Sequence, residues 1–283
     1  MKKNSWWICV VPLYAFTLLF VLGPMIYMVA ISVDSINPSG YGFHWQFTLD
    51  NFKKILDPLY LSCFSQSLKL ALTTTAISVL IGYPFGYYMG KLPPKGKRLM
   101  MFLIMIPFWP SSLIRIYGWL ILLQVKGIFN AVLMGVGLIE KPLKILYSYP
   151  AVLIGMVYAL LPFMILAVYS SVEKMDWSLV EAARDLGASP ANAFLTVTLK
   201  LTLPGLLSGV VLTFVPSMGL FFIADILGGN KIVLVGSLIQ DQLTRGSNWP
   251  FAAALAVVLT LMTTCMLLLY RTVLENGEEE EIH

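Results

Sequence analysis

The sequence predicts an all-α, polytopic membrane protein with six transmembrane helices. Three observations carry this. Mean hydropathy is +0.80 and only 12% of the 283 residues are charged, too few for the surface of a soluble domain that size. Roughly six stretches reach the ~20 mainly apolar residues that a spanning helix needs. The polar segments between them are mostly too short to form a soluble domain. The chain therefore reads as a single transmembrane domain over residues 1–283.

The first apolar run is Trp7 to Val33. Lys2 and Lys3 precede it as in a signal peptide, but the run is too long and lacks a cleavage site, so it is an uncleaved first span. The second runs from Leu68 to Tyr88. The loop KLPPKGKR follows, with Lys91, Lys95, Lys97 and Arg98 and no acid, which places it in the cytoplasm. The remaining runs are Leu99 to Leu123, Pro150 to Val172, Leu203 to Leu227 and Pro250 to Tyr270. Six spans then put both termini and the loop at 173–202 on the cytoplasmic side, in agreement with Lys2, Lys3 and Arg271. Lys53, Lys54, Lys141 and Lys144 fall outside, in longer loops that weigh less in orientation. The acid-rich stretch Glu275 to Glu281 reads as a solvated end.

Proline and glycine interrupt several runs, at Pro24, Pro84, Gly86, Pro107, Pro110, Pro162, Pro204 and Pro216. Such breaks persist in a membrane where neighbours or water satisfy the freed backbone groups. They mark either ordinary kinks or a pathway lined by irregular backbone. Their concentration around Pro107, Pro110 and Pro216 favours a pathway there. Arg115 lies within the third run and Asp225 at the end of the fifth. Intramembrane charges cost a few kcal/mol and face protein or water. These two either pair, orient helices or contact cargo. Trp109, Tyr117 and Trp119 offer cation–π faces, though aromatics also gather at bilayer interfaces.

Several function classes are excluded. No phosphate-binding loop of the G-x-x-x-x-G-K-S/T type is present, nor an acid pair or a nucleophile–base set, so the chain has no catalytic residues and no ATPase site of its own. Cys9, Cys63 and Cys265 are far apart, and His44 and His283 lack paired spacing, so neither a disulfide framework nor a metal site is expected, and no cofactor. The net charge of +4 comes from scattered Lys and Arg and does not point to nucleic acid.

The segment 173–202 stands apart. Ser178 and Glu181 fit a capping box ahead of Ala182, Ala183 and Leu186. Glu181 also sits in a first turn, where the helix dipole favours a negative charge. Gly187 is placed to end that helix in a left-handed conformation. Ser189 then caps a second helix with Pro190 as its first residue. The prediction is helix, glycine turn and helix at the membrane surface. A structured, charged loop of this kind gains little unless a soluble partner binds it.

Glu181, Ala182, Ala183 and Gly187 match the E-A-A-x-x-x-G motif, and the chain resembles the binding-protein-dependent ABC importer permeases. That motif continues with I-x-L-P, where this chain has Val197, Thr198, Leu199 and Lys200, so a lysine replaces the usual proline. The stretches FWPSSLIRIYGWL, PSMGLFFIADILGGNK and NWPFAAALA are similar to the B-type permeases of spermidine/putrescine importers. The resemblance implies a type I permease fold in a bacterial inner membrane. It implies a second, C-type permease, two ATP-binding cassette ATPase subunits and an extracytoplasmic polyamine-binding protein as partners, beside membrane lipid. Glu181, Ala182, Ala183, Asp185 and Gly187 would form the ATPase-coupling loop. Trp109, Arg115, Tyr117, Trp119 and Asp225 would border the polyamine pathway. Another small solute (an amino acid, a different cation or an oxyanion), an ion-coupled secondary transporter and a cargo-free scaffold are the alternatives.

Overall fold

A computed structural model describes residues 5–36, 44 and 46–279, and side chains between residues 10 and 272. Lys2, Lys3, His283 and the last two acids of the tail lie outside the described residues. Among the described residues the regular elements are all helical, with one isolated antiparallel bridge between Asp34 and Phe47. Among the described residues, six helical stretches are long and apolar enough to cross a membrane.

The first apolar run forms α1 (Ser5–Thr17), a π-helical turn (Leu18–Leu22) and α2 (Gly23–Ser32). The short α3 (Asp50–Ile55) precedes α4 (Pro58–Lys91), which continues through Pro84. The third apolar run, expected as one span from Leu99 to Leu123, is two helices. α5 (Pro94–Met105) ends in a 3₁₀ turn (Ile106–Phe108), and α6 (Ser112–Leu123) starts afresh with the Ser111 hydroxyl accepting the Ile114 N–H. Pro107 and Pro110 supply no N–H, which explains the interruption. α6 is followed by α7 (Ile128–Gly135), and the span-length stretch is Ser112–Gly135.

α8 (Tyr149–Lys174) continues through Pro162. α9 (Ser178–Asp185) and α10 (Pro190–Ala193) form the expected elbow. A π-helical turn (Phe194–Thr198) then leads into α11 (Leu199–Gly219), so the fifth span-length stretch is Pro190–Gly219 and begins earlier than the apolar run. Leu220 leaves helical geometry at φ −78°, ψ 58°, and α12 (Phe221–Gly228) follows. α13 (Val235–Thr244) and α14 (Trp249–Glu279) complete the chain.

The chain packs as two compact units, residues 1–63 with 237–265, and residues 64–236 with 266–283. In the first, the buried Asp34 carboxylate accepts N–H bonds from Ser35, His44 and Gln46 at 2.9, 2.7 and 3.0 Å. The Asn51 amide donates to the Ser32 and Asp34 carbonyls, closing the same turn. The Lys54 ammonium lies 4.5 Å from the Phe251 ring centroid. These bonds satisfy backbone groups of Ser32, Asp34, Ser35, His44 and Gln46.

In the second unit α8 is central. Gly82, Gly86 and Gly90 of α4 lie against Met164, Ile165, Val168 and Val172 of α8. Gly205 and Gly209 of α11 approach Ala167, Ser171 and Met164 from another side. Lipid tails are as apolar as leucine, so close backbone approach over small residues, rather than hydrophobic burial, draws such helices together. A second cluster joins α6, α8 and α12 through Ile116, Leu123, Val152, Met156, Ile223 and Leu227. Apolar side chains that point away from these clusters, such as Leu80 and Leu212, are exposed, as lipid-facing positions are.

Candidate functional site

The elbow at 173–202 carries an exposed short helix, α9. None of the residues of α9 is buried. Glu181, Ala182, Arg184 and Asp185 are exposed, Ala183 is half-buried, and Leu186 is 91% exposed at the turn. The capping box does not form. Ser178 is the first helical residue, Trp177 holds the cap position without a side-chain bond, and the Asp176 carboxylate accepts the Ser178 N–H at 3.0 Å. A carboxylate one residue upstream of the cap position takes the donor that the serine motif would have served. The Ser178 N–H, and then its hydroxyl, hold the Asp176 carboxyl below its ordinary value, against a smaller opposing effect of burial.

A carboxyl held low in the folded state stabilises it above the unfolded value and loses that contribution as pH falls through the folded one. The Asp176 bond is therefore at full strength from about pH 5 to 8. Asp176→Asn is expected to speed limited proteolysis of the elbow by the same factor at both ends of that range, as cleavage rates at each pH will show.

The C-terminal end of α9 follows expectation. Gly187 has φ +91°, its N–H bonds to the Arg184 carbonyl at 3.0 Å, and the Ala188 N–H reaches Ala183 at 3.0 Å. This pair of bonds is a Schellman motif. A β-branched residue there strains the turn by about 1–3 kcal/mol, whereas asparagine tolerates the conformation. Gly187→Val is expected to loosen the elbow under limited proteolysis and Gly187→Asn to leave it closer to native. The Ser189 hydroxyl accepts the Asn192 N–H at 3.3 Å, with Pro190 opening α10, as expected. Lys200 is exposed, and the helix runs through its position without interruption.

The basic loop and the elbow lie at the same end of this unit. The Lys97 ammonium meets the Glu173 carboxylate at 3.3 Å, and Lys91 lies 5.0 Å from the Trp177 ring centroid.

A second feature is a cavity of about 370 Å³ whose walls include Phe108, Arg115, Tyr158, Phe163, Pro216 and Phe222. Both helix breaks border it, since Phe108 belongs to the 3₁₀ turn and Leu220 follows Pro216. Arg115 donates to the Ser112 hydroxyl at 3.1 Å, and its guanidinium carbon lies 5.2 Å from the Phe108 centroid and 6.0 Å from that of Tyr158. The flat, weakly hydrated guanidinium suits stacking on rings. Trp119 packs edge-on against Tyr158 at 5.4 Å, behind the cavity wall. Trp109 and Tyr117 are 74% and 54% exposed and do not line it. Asp225, on α12, does not line it either. The structure thus brings Arg115 and Trp119 to one place, while Trp109, Tyr117 and Asp225 lie elsewhere. The rings of Phe108, Tyr158, Phe163 and Phe222 escaped sequence reasoning, because they come from three segments far apart in the chain: the 3₁₀ turn, α8 and α12.

A family model described as "Binding-protein-dependent transport system inner membrane component" matches residues 82–274. The spermidine/putrescine transport system permease protein PotB of Escherichia coli K12 is 42% identical over 261 residues, covering 92% of this chain and 94% of that protein. PotB of Haemophilus influenzae Rd is 42% identical over 263 residues, covering 93% and 92%. In fold, the chain is similar to a crystal structure of a bacterial ABC transporter involved in the import of the acidic polysaccharide alginate. The TM-score is 0.72 at 16% identity, covering 94% of this chain and 93% of the other.

Proposed function

The chain belongs to the family of binding-protein-dependent transport system inner membrane components, and we propose that it is the permease subunit that forms half of a pathway for spermidine and putrescine. The observation that carries this reading is the capped, exposed α9 elbow on a six-span body that aligns almost end to end with polyamine permeases. In this reading the elbow and both termini face the cytoplasm, and α9 seats in a groove of one of two ATPase subunits. A second, C-type permease completes the pathway, and an extracytoplasmic binding protein delivers cargo. Closure of the ATP-bound pair pushes α9 and rocks α8 and α11, between which the elbow lies in the chain. Access to the pathway then alternates between the two sides, and hydrolysis resets it.

The residues proposed for coupling are Glu181, Ala182, Ala183, Asp185 and Gly187. Ala182 and Ala183 leave room for close approach, and Gly187 holds the turn. Along the pathway, Arg115 and Trp119 border or back the cavity. Trp109, Tyr117 and Asp225 would act on surfaces that meet the second permease or the binding protein.

One observation favours a second reading, an anionic cargo: the charged residue on the cavity is Arg115, not Asp225. Its stacking on Phe108 and Tyr158 fits a helix-orienting role equally well. Uptake of radiolabelled spermidine into cells expressing the complete system, with competition by putrescine, sulfate and amino acids, tests the assignment. Competition by putrescine alone supports it. No spermidine uptake, with uptake of radiolabelled sulfate by the same cells, overturns it.

A further inference from the structure

Four aromatic side chains and one lysine tie both ends of the elbow to the end of α4. Trp177 immediately precedes α9, and Phe194 immediately follows α10. Tyr87 of α4 meets both, with ring centroids 6.0 Å from Trp177 and 5.6 Å, edge-on, from Phe194. Tyr83, one turn earlier, stacks at 6.4 Å on Tyr87 and meets Phe194 edge-on at 6.0 Å. The buried Tyr83 hydroxyl shares a 2.8 Å hydrogen bond with the Thr202 hydroxyl of α11. Lys91 ends α4, where a cation is favoured by the helix dipole. Its ammonium lies 4.2 Å from the Tyr87 centroid and 5.0 Å from that of Trp177.

Chain continuity joins the elbow to α8 and α11, but not to α4. The aromatic group supplies the missing connection. It is continuous with the buried contacts of Tyr83, Met164, Val168 and Val172, so a displacement at Trp177 meets close-packed side chains and not a compliant gap.

We propose that this aromatic box is the joint that delivers motion of α9 to α4, and that Lys91 is the positioning residue that keeps Trp177 seated on Tyr87. The inference rests on the reading that α9 docks on an ATPase subunit. Lys91 is exposed, so its replacement leaves the packed core untouched.

The test uses the assembled complex purified with its ATPase. Cys9, Cys63 and Cys265 are replaced by alanine, and a bimane fluorophore is placed at Tyr88→Cys, an exposed position on α4. A non-hydrolysable ATP analogue is expected to change the fluorescence. Lys91→Met is expected to shrink that change roughly two- to five-fold, the worth of an exposed cation–π contact. Lys91→Arg restores it, because a guanidinium also stacks on rings. Complex yield and thermal midpoint stay at wild-type values for both, which a merely structural role of Lys91 does not predict. Trp177→Leu shrinks the change further, and adding Lys91→Met to it has no additional effect, since both act on one joint. Equal responses in wild type and Lys91→Met, or additive effects in the double variant, overturn the proposal. Copurification of the ATPase with no response at Tyr88 overturns this inference alone, whereas failure of the ATPase to copurify overturns the docking reading beneath it.

Discussion

Leu186→Asp removes ATP-driven uptake and leaves the protein in the membrane at normal amount. Leu186 is 91% exposed at the tip of the elbow, between the last turn of α9 and Gly187. It contributes almost nothing to packing within this chain, so the variant folds. An isolated exposed leucine is ordinary, but this one stands beside two alanines and a glycine at the end of an exposed helix closed by a glycine turn. Burying it in a partner's groove contributes about 1.5–3 kcal/mol. Placing an unpaired carboxylate there costs at least as much again. The sum weakens docking by roughly a thousand-fold at the mid-range of both terms, since 1.4 kcal/mol is a factor of ten. Copurification of the ATPase and uptake per molecule of permease measure this. The same logic, on a smaller scale, applies to a bulky residue at Ala183, which holds the ATPase off the helix. Full uptake by Leu186→Asp at normal expression would contradict the placement of α9 in a groove.

Gly86→Leu prevents accumulation of the folded permease. A Cβ at Gly86 would stand 2.9 Å from the Ile165 carbonyl oxygen and 3.0 Å from the Val168 side chain. The carbonyl belongs to helical backbone and cannot swing aside. At Gly82 the added atom would stand 2.6 Å from Cγ and 3.2 Å from Cβ of the buried Met164, so that side chain must change rotamer to make room. Overpacking costs typically 1–3 kcal/mol and more where backbone must shift, a large share of a marginal stability. The expected order of expression and thermal stability is therefore wild type, then Gly82→Ala and Gly86→Ala, with Gly86→Leu below detection. A stable Gly86→Leu protein would mean that α4 and α8 are not in close contact.

The contrast between local and distant information explains what could be read beforehand. Runs of apolar residues reported span number, because each helix must satisfy its own backbone in lipid. The Gly187 turn and the Ser189 cap were legible because their bonds close within five residues. Ser178 failed as a cap because Asp176, two residues before it, accepts the Ser178 N–H that the Glu181 carboxylate would take in the box, and spacing alone does not rank the two acids. The break between α5 and α6 was hidden inside one continuous apolar run, although Pro107 and Pro110 marked it. Gly82, Gly86 and Gly90 form a stripe whose meaning depends on α8, which lies far along the chain. The Tyr83, Tyr87, Trp177 and Phe194 group is assembled from separate segments, so no window of sequence contains it. Trp109 and Tyr117 share a helical neighbourhood with Arg115 in sequence, but their rings point away from its cavity.

The most direct measurement is the accessibility of α9. A single cysteine is introduced by Ala182→Cys in a background free of other thiols and probed with a membrane-impermeant maleimide. Reaction in inside-out vesicles that strengthens when the ATPase subunits are stripped away is the result expected of a docked, inward-facing lever. Reaction only in right-side-out vesicles, or an inward reaction indifferent to the ATPase, would contradict it.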